Sequence, residues 1–447
     1  MKRLCCIPAL AASLALLATA APAQAEIGLA PAHGFVPREV VVKFEGESRA
    51  RTLALPQGTG VREATRALRG RSAVAYAAPN FIATASAIGP FILPDDSGGI
   101  GGPAEAASAL GDWTLRQWNF LPWEGVPTNR VPVSPGGIDA VSAWQSLSAA
   151  GRPGAEGVTV AVLDTGIAYR IKGPNFQRSP DFASEQFVKG YDFVDGDRLP
   201  LDKNGHGTHV AGTIAEKTDN GVGLTGLAYG AKVMPVRVLD EFGRGDAATI
   251  AKGIRFAIGH HAQVINMSFN FGCDKPVPSV DDALREAYAQ GIVVVASAGN
   301  LGAETCVSAP ATGPRVLAVG GSTEGGCLGD YSLAGKAIDL LAPGGGIPVA
   351  GCPSVLARPI YQVTLKPGTT SLFGIPSNYV GTSMAAAHVS GVAAMVLASG
   401  TIGPQHKSKK ARVDAVARRL RKTARSLGLP PTQQGAGLID AGAATEP

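Results

Sequence analysis

The stretch "GVTVAVLDTGI", residues 157–167, decides the fold. Apart from Thr159, its first half is a run of valine, alanine and leucine with no polar alternation. A strand formed here would meet apolar neighbours on both faces. Strands of that kind belong to parallel sheets covered by helices on each side. The run ends on an acid, Asp164, followed by a Thr-Gly turn. In such sheets, binding and catalytic groups gather at the carboxyl ends of the strands. Asp164 is therefore a candidate functional residue, with a turn or N-cap role as the plain alternative.

Comparable runs recur further on: "AKVMPVRVLD", "AQVINMSF", "GIVVVASAGN", "RVLAVGG" and "AIDLLAPG". The segments "HGTHVAGTIAEK", "AATIAKGIRFAIGHH" and "SVDDALREAYAQG" between them are helix-compatible. From Trp113 to the end, this alternation predicts one large α/β unit, residues 113–447, with a mostly parallel central sheet. Residues 26–85 differ. "REVVVKFEG" alternates as a strand, "VREATRALRG" sets Val61, Ala64 and Leu68 on one helical face, and "AVAYAAPNF" reads as another strand. They predict a small α+β unit. Residues 86–112 lose all periodicity, and "DDSGGIGGPAEAASA" reads as a flexible, protease-accessible linker. Near the other end, "KSKKARVDAVARRLRKTARSLG" places Val413, Val416, Leu420 and Leu427 at helical spacing opposite a basic face. This predicts a helix docked on the core with its charged side in water.

A hydrophobic share of 45% with 17% charged is a globular balance, and a net charge of +5 is too mild to argue for nucleic acid. Lys2 and Arg3, the apolar "IPALAASLALLATAA" and the small "AQA" at Ala23–Ala25 predict a signal peptide over residues 1–25 and an extracellular protein. That apolar run is too short and alanine-rich for a membrane anchor, and no later stretch reads as a span. Cys5 and Cys6 leave with the signal. Cys273, Cys306, Cys327 and Cys352 remain, an even number suited to an oxidising compartment. Four cysteines allow three pairings. Cys273–Cys306 with Cys327–Cys352 is preferred because each would staple neighbouring loops. Zinc is the alternative, but the spacing matches none of the usual ligand pairs.

Two further polar residues stand out. "NGHGTHVAGT" places His206 in a glycine-rich turn before a small-residue helix, and "GTSMAAAHVSG" places Ser383 likewise. Each alone has a dull reading, as a loop histidine or a packing serine. Together with Asp164 they form a set. Acyl transfer needs a hydroxyl nucleophile, an imidazole to take its proton, and a buried carboxylate to fix the imidazole tautomer. Asp, His, Ser is one of the known chain orders for such a triad. The three stretches resemble the Asp, His and Ser signatures of the subtilase family of secreted serine endopeptidases, and the resemblance extends over about Gly136 to Ala441.

The resemblance implies a subtilisin-like three-layer α/β fold preceded by an inhibitory pro-region, to which residues 26–85 are similar through "VPREVVVKF" and "AYAAPNF". It implies that Asp164 orients, His206 acts as general base and acid, and Ser383 attacks. Asn300 of "VVVASAGN" then supplies an oxyanion donor. "NMSFNFG" resembles the strand lining the primary specificity pocket, through Ser268, Phe269 and Asn270. "EFGRGDA" resembles the facing strand, with Gly243 and Gly245 leaving the backbone free, so that an extended substrate adds a strand between them. No charge sits at the pocket base in this reading, which implies a broad preference for uncharged side chains. The "RGD" inside that segment reads as groove strand, not as an adhesion motif. "EKTDNGVG" resembles the family's structural calcium loop, with Asp181, Asp219 and Asn220 as side-chain ligands and Val222 as a carbonyl ligand. "HGTH" lacks the glutamate and spacing of a zinc-protease helix.

The implied partners are polypeptide substrates and the chain's own pro-region, with no nucleic acid, no membrane span and a monomeric enzyme. Maturation by self-cleavage within residues 86–112 follows, since "TLRQWNF" resembles the start of the mature domain in secreted relatives. Ala387 departs from the family, which has proline there. Alanine favours the helix, so little effect on chemistry is expected. The competing readings are a catalytically silent binding protein on the same scaffold and an ester or lipid hydrolase. The latter would prefer a G-x-S-x-G elbow, whose second glycine "GTSMA" lacks.

Overall fold

The computed structural model describes residues 35–47, 50–81, 94, 96, 113–125, 131–273, 277–302, 306–403 and 408–447. The signal peptide expected over residues 1–25 lies outside them. The chain divides into two compact units, Met1–Ile88 and Gly89–Pro447.

The smaller unit is a three-stranded antiparallel sheet with one helix. Strand β1 (Phe35–Phe44) lies between β2 (Arg51–Ala54) and β3 (Val74–Phe81), and helix α1 spans Val61–Arg69. Val40, Val42, Val74 and Ala77 from the sheet pack with Val61, Ala64 and Leu68 of the helix. That is the helical face expected from spacing. The short β2, which has no buried residue, carried no alternation to announce it.

The larger unit is built on a seven-stranded parallel sheet in the order β10-β9-β8-β7-β4-β6-β5. Its strands are β4 (Thr159–Asp164), β5 (Tyr191–Asp192), β6 (Lys232–Arg237), β7 (Val264–Met267), β8 (Val293–Ser297), β9 (Val316–Ser322) and β10 (Leu340–Pro343). Six of the seven lie in the apolar runs identified above. The seventh, β5, is two residues long at the sheet edge. It is tied in by the fully buried Arg237, whose Nη1 meets Asp192 and Asp195 at 2.8 Å each. Along β4, Val160 and Val162 enter one core while Ala161 and Leu163 enter the other, so the strand is apolar on both faces.

Helices α2 (Trp113–Arg116), α3 (Ala140–Ala149), α4 (His206–Ala215) and α7 (Thr382–Ser399) belong with the first core, and α5 (Ala247–Gly259) and α6 (Pro278–Ala289) cover the second. Helix α8 (Lys409–Thr423) sends Val413, Val416 and Leu420 into the first core, as its spacing predicted, but it ends before Leu427, which packs against that core from the following loop. Two short helices, α9 (Pro431–Gln434) and α10 (Ala441–Thr445), and a small hairpin of β11 (Thr364–Leu365) with β12 (Phe373–Gly374) complete the unit. The expectation of no later bilayer-length stretch has one exception among the described residues. Helix α7 is long and apolar enough to span a membrane, yet nearly all of it is buried in the protein core. The cysteines pair as preferred, Cys273 with Cys306 and Cys327 with Cys352.

The chain runs from β4 through β5 and β6 on one side of the sheet, then crosses to β7 and onward on the other. The carboxyl ends of β4 and β7 therefore flank the point where the winding reverses, which is where such sheets leave a crevice.

Candidate active site

Asp164 closes β4 and is fully buried. Its Oδ1 accepts the Thr165 N–H and lies 2.8 Å from His206 Nδ1. An ionised carboxylate can only accept, so the imidazole proton sits on Nδ1 and Nε2 keeps its lone pair. Burial works against the imidazolium, but the charge of Asp164 and its hydrogen bond outweigh this, and the His206 pKa is held above its ordinary 6.5.

His206 is the first residue of α4, after Gly205 at φ 106°. A side chain at Gly205 would be strained by that φ and would crowd Thr364 Oγ1 and Tyr379 Oη at 3.2 Å. The turn is held from behind by buried Asp202. Its Oδ1 accepts Thr165 Oγ1 and the N–H groups of Asn204 and Gly205, and its Oδ2 accepts both donors of Thr208. Asn204 Oδ1 accepts the His206 N–H, while its amide donates to the Glu241 carbonyl.

Ser383 is the second residue of α7 and is almost fully buried. Its hydroxyl donates to the Ser268 carbonyl at 2.9 Å, and the Ser268 hydroxyl donates to the Ser383 carbonyl at 2.8 Å. Among the described residues no hydrogen bond joins Ser383 to His206. Both nevertheless line one cavity of about 340 Å³, together with Ser268, Phe269, Asn270 and Gly243. Asn300 follows β8, and its Oδ1 accepts the N–H and the hydroxyl of Thr382 at 2.9 and 2.8 Å. That fixes the amide beside the start of α7 and leaves Nδ2 to donate.

Residues 155–437 match the Subtilase family. The chain belongs to the subtilase family. It is 37% identical over 248 residues to the thermophilic serine proteinase of Bacillus sp. (strain AK1), a match covering 55% of this chain and 54% of that relative. It is 34% identical to subtilisin BL of Lederbergia lenta, over 65% of this chain and 91% of that relative. Among solved structures, one described as proteases from Pseudoalteromonas arctica PAMC 21717 matches at 32% identity and a TM-score of 0.57. That match covers 69% of this chain and 94% of the other. The chain thus spans about half the length of the first of these relatives and nearly all of the other two. This subtilase is a serine peptidase of the subtilisin type.

The groove of the subtilase differs in detail from the sequence reading. Ser268, Phe269 and Asn270 follow the end of β7 and form one cavity wall. Gly243, at φ 75°, lies on the opposite side with Leu239 and Phe242. The segment expected as a facing strand is a tight turn, in which Asp240 Oδ1 accepts the N–H groups of Phe242 and Arg244. Gly245 lines a neighbouring cavity instead. A Cβ there would come 2.3 Å from the Val238 carbonyl, so backbone packing by itself requires a glycine at this position. Asn204, Asp202, Thr165 and the exposed Phe242 escaped the sequence reading. "DKNGHG" did hold a signal, an Asx-type turn before the histidine. His388, also in the serine motif, is a satisfied core residue. Its Nδ1 donates to the Met384 carbonyl, its Nε2 accepts from Asn119, and burial lowers its pKa to about 4.

At the expected calcium loop, Asn220 Nδ2 donates to Asp181 Oδ1 at 2.9 Å and the Leu224 N–H binds Asp181 Oδ2. Asp219 sits at φ 55° in the same turn, and Val222 donates its N–H to Asn220 Oδ1. Glu216, missed earlier, is fully buried, and neither of its carboxylate oxygens has a normal hydrogen bond. Burial pushes the carboxyls of Asp181 and Glu216 well above the usual range, and that of Asp96 up to about 7. Among the described residues, no three His, Cys, Asp or Glu side chains gather in metal-ligating positions. The oxygen-rich loop and the orphaned Glu216 nonetheless have the donor chemistry of a hard-cation site.

Proposed function

We propose that this subtilase is a secreted serine endopeptidase that cleaves polypeptides through Asp164, His206 and Ser383. The observation that carries the reading is the 2.8 Å contact of Asp164 Oδ1 with His206 Nδ1, in the cavity that also holds Ser383. Asp164 fixes the tautomer, so His206 Nε2 is free to act as base. The Ser383 hydroxyl turns from the Ser268 carbonyl toward Nε2, gives up its proton and attacks the scissile carbonyl. The oxyanion that forms takes hydrogen bonds from Asn300 Nδ2 and the Ser383 N–H. His206 then protonates the leaving amine, and water resolves the acyl-enzyme by the reverse path.

The substrate backbone lies along Ser268–Asn270 with Gly243 facing it. The cavity lining holds no Asp, Glu, Lys or Arg, and its His206 is neutral in the working enzyme, which favours uncharged side chains. Residues 26–85 act as pro-region, removed by the enzyme itself. The two disulfides and the apolar N-terminal sequence support export. Calcium, where bound, is held by Asp181, Asn220 and the Val222 carbonyl, with Asp219 and Glu216 nearby. Its contribution is to loop stability and not to the chemistry.

A serine-directed phosphonate label tests the reading. Purified mature protein should take up one label and hydrolyse casein. Ser383→Ala should do neither and should keep residues 26–85. A protein that folds but takes no label would be a silent binding scaffold.

A further inference from the structure

Pro94 and Asp96 fall in the stretch read as a linker, yet both are buried in the unit that begins at Gly89. The Pro94 carbonyl accepts the indole N–H of Trp113 at 2.9 Å. The Asp96 carbonyl accepts the backbone N–H of the same tryptophan at 3.3 Å. The Asp96 carboxylate accepts the Thr218 hydroxyl at 3.1 Å and the Asn220 N–H at 3.3 Å. Asp96 and Trp113 have no exposed surface, and Trp113 meets Trp144 edge-on, 5.6 Å between ring centres, inside the main core.

We propose that Pro94 and Asp96 form a strap that stays in the mature enzyme, so that the maturing cut falls before Pro94. This rests on the zymogen reading given above. A cut between Asp96 and Trp113, with loss of the upstream piece, would remove the acceptors of four hydrogen bonds at once. Two of the orphaned donors would be the N–H groups of Trp113, a tryptophan that is fully buried while the strap is in place and that would lose its cover together with both acceptors. A cut before Pro94 leaves all four bonds in place. The strap also joins the core tryptophan to the turn between α4 and β6, which carries the candidate cation ligands Asp219, Asn220 and Val222. Cleavage needs backbone that can leave the surface and enter a protease groove, and residues 94 and 96 are held on both sides.

The test is the N-terminus of the wild-type enzyme. Protein is matured, quenched at once with a serine-directed inhibitor, and read by intact mass and N-terminal sequencing. The first residue should be at position 94 or earlier. A start at residue 95 or later overturns the strap. A fully active chain that still carries residues 26–85 overturns the zymogen reading instead, and the statement about the cut with it. In Asp96→Ala, matured and quenched in the same way, the start should move to between residues 97 and 112. A wild-type start in that variant overturns the part given to the carboxylate. The wild-type measurement stands even if the variant does not fold.

Discussion

Asn300 performs two tasks with two ends of one amide, and they can be separated. Its Oδ1 accepts the first N–H and the hydroxyl of Thr382, and so caps α7. Its Nδ2 is the side-chain donor assigned to the oxyanion. Asn300→Ala removes both. The lost cap should cost about 1 kcal/mol of stability. The lost donor should lower kcat by about 10²–10³, or ~3–4 kcal/mol, the range known for removal of such a donor in a subtilisin, with KM little changed because the bond forms only in the transition state. Asn300→Asp keeps an acceptor for Thr382 and places a negative charge at a helix N-terminus, so stability should hold. It removes the donor and sets a charge against the oxyanion, so kcat should fall further than in the alanine variant. Turnover of a chromogenic peptide gives kcat and KM. Unfolding is followed in a Ser383→Ala background, which prevents self-digestion. An aspartate variant within threefold of wild-type kcat would refute the assignment, as would an alanine variant whose loss lies in KM.

The remaining predictions concern protons and cations. His206 must be neutral to act, and Asp164 holds its pKa above 6.5, so activity is lost as the pH falls through a midpoint above that value. Asp164→Asn should move the midpoint of kcat/KM downward and lower kcat by about 10⁴, the scale known for such triads. A wild-type midpoint at or below 6.5 would contradict the contact described. If the α4–β6 turn binds calcium, the ion at a hundred times its Kd should stabilise Ser383→Ala protein by ~2.7 kcal/mol. Chelator should reverse the gain, and Asp181→Asn should abolish it. Identical melting with and without chelator would remove the cation from the account.

Much of this was legible because burial on both faces leaves a plain mark. The runs around Val160, Val233, Ile265, Val294, Leu317 and Leu341 all became strands, since apolar residues dominate them and buried exceptions such as Asn266 and Arg237 find hydrogen-bond partners. Strand β5 left no such mark. Tyr191–Asp192 sits at an edge and is fixed by Arg237, which is distant in sequence. The three signature residues were legible as chemistry at strand ends and helix starts, but their support was not. Asp202 reads as a loop acid until its five donors are seen around it. The Val238 carbonyl packed against Gly245 is likewise absent from the local sequence. The strap at residues 94 and 96 was invisible for a different reason. A polar, glycine-rich composition predicts flexibility, and only the tertiary fold brings Trp113, Thr218 and Asn220 to two residues within it.

The reciprocal bonds between Ser268 and Ser383 bind a wall of the groove to the nucleophile. Whatever shifts Ser268, whether a bulkier neighbour or a substrate strand pressing on Phe269 and Asn270, also shifts the carbonyl that parks the Ser383 hydroxyl. Selectivity and turnover are therefore not independent variables in this enzyme. Attempts to retune its preference by remodelling residues 268–270 will alter its speed toward every substrate, good or poor. The opposite bank, at Leu239, Phe242 and Gly243, has no hydrogen bond to the serine among the described residues. It is tied instead to the other two members of the set: the Leu239 N–H donates to the Asp164 carbonyl at 3.1 Å, and Asn204 links the Glu241 carbonyl to the His206 N–H. Redesign from that side therefore has to leave the backbone of Leu239 and Glu241 in place.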